Sequence, residues 1–103
     1  MAQFIYQFLP GGRPELSIDP DSWTPEDEAV AESHYAYLEA GADQQIVVLA
    51  GRSQDGVGPA IVVIETETED DARSFMALDP FVSSGLFRAG LHPFRVALGR
   101  RPI

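Results

Sequence analysis

Two stretches, Ile46-Val47-Val48-Leu49-Ala50 and Ala60-Ile61-Val62-Val63-Ile64, are apolar at every position. A strand with one wet face alternates apolar and polar residues, because successive side chains point to opposite sides. These two do not alternate, so both faces of the sheet they join need cover. Between them "RSQDGVG" carries Asp55-Gly56, a hairpin turn signal. The pattern predicts an antiparallel pair over 44–51 and 59–66.

The remaining elements arrange themselves around that pair. "QFIYQFL" at the start has strand composition, with Phe4, Tyr6 and Phe8 on one side and Ile5, Gln7 and Leu9 on the other. Residues 10–23 are too dense in proline, glycine and aspartate for regular structure and form a long loop, in which Arg13 and Trp23 could cover a pocket beside the next helix. A helix follows from Thr24, a natural N-cap, with Pro25 at its first position, acidic residues in its first turn and Gly41 as its stop. "TEDDARSFMAL" is a second helix, with Thr68 as N-cap and Asp71 completing a capping-box spacing. "DPFVSSG" is a turn or short helix, 86–98 the last strand, and "GRRPI" a loose tail over 99–103. In the last strand Phe87, Ala89 and Leu91 are in one phase and His92, Phe94, Val96 and Leu98 in the other. That predicts a bulge or kink beside Gly90 and Pro93, with Pro93 at a sheet edge.

The order β-α-β-β-α-β over 1–103, with a core of about 3–98, predicts one α+β domain of ferredoxin-like topology. Its antiparallel sheet carries both helices on one face. One chain then has no helix left for the other face. A second copy packed sheet against sheet is the economical cover, so a homodimer is expected.

Sixteen acidic and seven basic residues give a net charge of −9. Such a surface repels phosphate backbones and anionic lipid, so nucleic-acid and membrane-surface roles are not expected. There is no cysteine, which excludes disulfides and thiolate chemistry, and all basic residues are arginine, which excludes Schiff-base chemistry. The opening residues lack a basic leader and no run is long enough for a membrane span, so the expected compartment is the cytoplasm.

Few residues can carry chemistry. His34 shares a helix side with Val30, Leu38 and Gly41, the side expected to pack on the sheet. A titratable ring there needs a partner. Asp79, at the far end of the second helix, is one candidate, and the pair would then serve as a general acid or base. On pattern alone a core histidine bonded to a backbone carbonyl stays open, as does Asp79 acting only as a helix cap before Pro80. Arg52 and Ser53 end a strand, where they could hold an anionic substrate or simply face solvent in the hairpin. His92 reads as an ordinary strand histidine. His34, His92 and Asp79 match no known ligand spacing, so no metal is expected. The acidic run "ETETEDDA" lacks calcium-loop spacing and reads as a solvated helix start.

The segment "ARSFMALDPFVSSGLFRAGLHPFRV", with Asp79-Pro80-Phe81 and the closing Pro93-Phe94, resembles the YCII-related family. His34 on the first helix, the aromatic first strand and "LAGRSQDGVGPAIVV" extend the resemblance over most of 3–98. The loop "PGGRPELSIDPDSWTPEDE" is longer than in compact members. The resemblance implies a dimeric α+β barrel with a pocket centred on a histidine and an aspartate, matched here by His34 and Asp79. Related folds include muconolactone isomerases, and one branch of the family removes chloride from chlorinated muconate-type compounds. The expectation is an acid/base enzyme of isomerase, lyase or dehalogenase type acting on a small anionic organic molecule without an organic cofactor. A non-enzymatic dimeric module that binds a small ligand or a partner protein is the alternative.

Overall fold

The apolar strands and capped helices assemble as four strands and three helices in a computed structural model that describes residues 1–100. In chain order they are β1 (Ala2–Pro10), α1 (Pro25–Asp43), β2 (Val47–Arg52), β3 (Ala60–Thr66), α2 (Glu69–Leu78), α3 (Pro80–Ser83) and β4 (Phe87–Phe94). The sheet has the order β2-β3-β1-β4 with every pair antiparallel, the ferredoxin-like α+β arrangement expected. Of the expected tail over 99–103, residues 101–103 lie outside the described residues.

Alternation in β1 sets which side is the core. Phe4 and Tyr6 are buried and pair with Ile64 and Val62 of β3. Together with Val47 and Ala72 they form the core, packed by Phe8, Leu38, Phe75, Met76 and Leu91. Burying a side chain such as Ile64 contributes roughly 1.5–3 kcal/mol. The opposite face carries Leu49, Val63, Ile5 and His92 in one row across the sheet. β2 is buried only at Val47 and partly at Val48, and from Leu49 to Arg52 it is exposed. The helices therefore leave that end of the sheet open.

Four local expectations need correction. The loop over 10–23 is not irregular throughout: Pro14 and Pro20 each start a 3₁₀ turn, Pro14–Ser17 and Pro20–Ser22, and Leu16 is buried. α1 does not stop at Gly41. It runs to Asp43 and closes with Ile46 N–H donating to the Gly41 carbonyl (2.8 Å) and Gln45 N–H to the Ala42 carbonyl (3.0 Å). This is a Schellman turn, with Gln45 at φ 63° where glycine is usual. Gly41 serves packing instead, since a Cβ there would come within 2.8 Å of Val47 Cγ2 and 2.9 Å of Phe75 Cζ. The capping box at Thr24 is complete, whereas Thr68 accepts from Asp71 N–H without the reciprocal bond.

The fourth correction concerns the sheet irregularity. β4 holds one continuous register with β1, from Gln3 opposite Phe94 to Pro10 opposite Phe87. Its phase change arises because its apolar residues move from the helix-facing side to the outer side without an inserted residue. The bulge lies in β2, between Val47 and Leu49. β4 is an edge strand, which accommodates Pro93. Among the described residues no helix is long and apolar enough to cross a membrane.

Candidate functional site

Asp79 sits where two helices meet. Its backbone N–H closes α2 on the Met76 carbonyl, and its carbonyl accepts from Val82 and Ser83 to open α3. The residue is fully buried, and its carboxylate receives three donors. Oδ1 accepts from Phe81 N–H (3.0 Å) and from His34 Nδ1 (2.7 Å), while Oδ2 accepts from the Tyr6 hydroxyl (2.8 Å). An ionised carboxylate only accepts, so its chemistry matches all three. Helix cap and histidine partner, the two sequence readings of Asp79, are one geometry.

With Nδ1 donating to Asp79, a neutral His34 ring carries its lone pair on Nε2. Nε2 has no hydrogen-bond partner among the described residues, and no buried side-chain nitrogen or oxygen among them is left unpartnered. Nε2 is thus open to solvent, on a side chain 15% exposed. Phe81 stacks on the ring at 4.0 Å and 22°, and Phe8 meets it edge-on at 5.4 Å. A positive imidazole over the Phe81 face gains about 0.5–2 kcal/mol from the ring quadrupole. Two phenols feel the same carboxylate. Burial, and then the charge of Asp79, push the Tyr6 hydroxyl far above the ordinary phenol range. The same causes push Tyr37, which donates to the Phe75 carbonyl, up to about 12.

His34 opens onto a cleft of about 1010 Å³ between α1, the uncovered end of β2 and β3, and the 10–23 loop. Phe8, Trp23, Leu38 and Phe81 line it near His34, and Arg52 and Ser53 line it at the hairpin. Arg52 of β2 pairs with Ala60 of β3, and β2 lies two strands from β1 and its Phe8, a spacing of about 10 Å between those strands. The Arg52 guanidinium makes no hydrogen bond or ion pair among the described residues. The Ser53 hydroxyl donates to the Pro59 carbonyl at 3.2 Å, which leaves it an acceptor toward the cleft. Glu28 and Glu39 also line the opening, so Arg52 is a local cation and the cleft as a whole is not basic. His92 is exposed on the outer face opposite Ile5, across the sheet from His34. That removes a site made of His34, His92 and Asp79, and no group of three potential ligands is placed to hold a metal among the described residues.

One wall of the cleft is clamped by charge. Arg13 grips Asp27 with two bonds (2.9 and 2.8 Å) and the Ser22 carbonyl with a third. Trp23 donates to the Leu16 carbonyl and packs on Phe81 and Phe87. The Arg13 guanidinium, aided by the Thr24 N–H, holds the Asp27 carboxyl down to about 2. Because its folded value is depressed, the clamp contributes fully above the unfolded value near 3.8 and is lost as pH falls through about 2. Trp23 is the only tryptophan and reports the wall directly. Its emission is expected to hold steady above about pH 4 and to shift red between about pH 4 and 2, with Asp27→Asn showing the shifted spectrum already at neutral pH. A native spectrum for Asp27→Asn would show that the clamp does not order the loop.

Sequence reasoning missed Tyr6 as a site residue. It sits between Phe4 and Phe8 on the core side of β1 and reads as one more aromatic. The available signal was its hydroxyl, because a phenol in a core requires a partner.

The YCII-related domain model matches residues 15–91, a span that holds His34, Asp79, Arg52 and Ser53 but not Tyr6. Among solved structures the fold is similar to that of 5-chloro-2-hydroxyhydroquinone dehydrochlorinase (TftG) from Burkholderia phenoliruptrix AC1100, in complex with 2,5-dihydroxybenzoquinone. The TM-score is 0.59 at 20% identity, over 90% of this chain and 93% of that one. At that identity the likeness speaks to fold. No curated protein matches the chain in sequence.

Proposed function

The chain belongs to the YCII-related domain family, and we propose that it is a small-molecule enzyme in which His34 moves a proton and Asp79 fixes the imidazole ring. One observation carries the reading. A histidine tied at Nδ1 to a buried carboxylate presents its free Nε2 to an open cleft. Asp79 selects the tautomer and stabilises the imidazolium once a proton arrives, the role of the orienting carboxylate in other His-Asp pairs. Nε2 would take a proton from a carbon next to an electron-withdrawing group. Returning it at another carbon gives isomerisation. Alternatively, the electron pair left by the proton forms a double bond and a leaving group departs with its own bonding pair, which is elimination. Hydrolytic dehalogenation would use the same nitrogen to take a proton from water as its oxygen bonds the carbon and halide leaves with the carbon–halogen bonding pair. Arg52 would hold an anionic group at the far end of the cleft, with Ser53 beside it.

A non-enzymatic binding module would have a filled pocket and a histidine bonded to backbone alone. The cleft and the carboxylate partner favour the enzyme. The test is a turnover screen of small ring and chain organic anions, halogenated ones included, against wild type and His34→Ala. Equal turnover of every compound by the two proteins would sink the proposal.

On the outer face Leu49 and Phe94 are exposed and Ile5 is partly so, while Val63 between them is already buried; these exposed apolar side chains support a homodimer through this face. Light scattering is expected to give twice the chain mass for wild type and the monomer mass for Leu49→Arg. A monomeric wild type at micromolar concentration would overturn it.

A further inference from the structure

We infer that Tyr6 is a positioning residue for His34, acting through Asp79; this rests on the acid/base reading of the pair. The backbone of Asp79 is fixed, since it closes one helix and opens the next. Only its side-chain torsions are free to decide where the carboxylate points. Phe81 N–H and His34 both bond Oδ1, so they leave Oδ2 undirected on a fully buried side chain. The Tyr6 hydroxyl occupies that oxygen at 2.8 Å. With donors on both oxygens the carboxylate cannot turn without breaking a buried bond, and Oδ1 stays aimed at Nδ1.

The position asks for the hydroxyl and not just for the ring. Phe4 and Phe8 flank Tyr6 on the same face of β1 and fill core space as plain hydrocarbons. Tyr6 is the one of the three that adds a polar group, fully buried, where an unbonded hydroxyl would cost stability. Its ring lies edge-on to Phe8 at 5.5 Å and is held within the core, which limits where the hydroxyl can point. Packing and hydrogen bonding thus converge on Oδ2. Tyr6 also lies outside the 15–91 span of the family match.

The consequence concerns the imidazole. A carboxylate held at Nδ1 keeps the proton there and the lone pair on Nε2, as carboxylate partners of metal-bound histidines also do. Removing the hydroxyl leaves Oδ2 bare in a buried site. Asp79 then turns or takes up a proton, and its hold on the Nδ1–H tautomer weakens. A histidine ring free of partners favours the opposite tautomer, in which Nε2 carries the proton and cannot accept one.

Tyr6→Phe keeps the ring and deletes the oxygen. Two readouts apply, and neither requires a substrate. Ring ¹⁵N shifts report the tautomer of each of the two histidines. Diethyl pyrocarbonate reacts with an unprotonated ring nitrogen, and exposed His92 on the other face is the internal control. The expected result is a smaller Nδ1–H population at His34 and carbethoxylation slowed about three- to tenfold, the scale of one hydrogen bond, with His92 changed less than about twofold. A Tyr6→Phe protein with wild-type tautomer and wild-type rate at His34 overturns the inference, because a residue that only fills the core moves neither. If wild-type His34 itself lacks the Nδ1–H tautomer, the acid/base pair falls as well, so the two failures are distinguishable. Should Tyr6→Phe not fold, 3-fluorotyrosine inserted at position 6 is a stronger donor of nearly the same shape. It is expected to move the His34 Nδ1 proton resonance upfield, and an unmoved resonance overturns the inference.

Discussion

Asp79→Ala is expected to lower stability by about 3–5 kcal/mol, a large share of what a small domain has. The substitution leaves the Tyr6 hydroxyl, His34 Nδ1 and Phe81 N–H without an acceptor at once. The last of these bonds is the side-chain cap that opens α3. A missing cap alone costs about 1 kcal/mol, and each stranded buried donor about 1–3 kcal/mol unless water enters. His34 lies beside the cleft, so water reaches that donor and the sum stays below the maximum. Asp79→Asn keeps the shape but turns an amide N–H₂ toward one donor, and about 1–3 kcal/mol is expected. Urea denaturation of the three proteins measures the series, read as a shift of midpoint at constant slope. If Asp79→Ala stayed within about 1 kcal/mol of wild type, the buried network would not hold the fold as described.

The largest functional effect belongs to His34→Ala. Turnover of a substrate found by screening should drop about 10²–10⁴-fold, the usual worth of a positioned acid or base. The stability change should be smaller than for Asp79→Ala, because the vacated space joins the cleft and water can replace the ring beside Asp79. That same opening supplies a sharper test. Added imidazole should diffuse into the space and restore part of the rate in His34→Ala. In Asp79→Asn the ring is present but misdirected, so imidazole should restore nothing. A His34→Ala enzyme with a lowered rate and no rescue would point to a packing role for the ring.

Much of this was legible in the residues, and what was hidden has physical causes. The strand pair around Asp55-Gly56, the caps at Thr24 and Thr68 and the Asp-Pro start at Asp79 are local signals, and each governs a local structure. The helical spacing of His34 placed it on the packed side of α1, and two helices lying side by side made Asp79 a reachable partner. Gly41 misled because glycine is a common helix terminator. Its real constraint is the approach of Val47 and Phe75, one of them from a separate element far along the chain. Tyr6 misled in the opposite way, as its aromatic ring satisfied the strand pattern and concealed a hydroxyl whose partner is distant in sequence. The bulge had no local marker of the glycine or proline kind, so Gly90 and Pro93 drew the expectation to β4.

That bulge bears on how such a cleft can diversify. Val47 and Arg52 stand an odd number of positions apart, yet Val47 faces the core and Arg52 lines the cleft, because one extra residue resets the phase between them. In an unbulged strand the same sequence would send Arg52 to the opposite face and leave the cleft without its hairpin cation. β2 is an edge strand with a single partner, so gaining or losing that residue disturbs one ladder only. His34, Asp79 and Tyr6 come from α1, the α2–α3 junction and β1, and none depends on the phase of β2. Under the proposed function, proton transfer and charge preference would thereby be inherited on separate pieces of chain. A lineage could trade an anionic substrate for a neutral one by a single insertion or deletion, with the proton-transfer pair untouched.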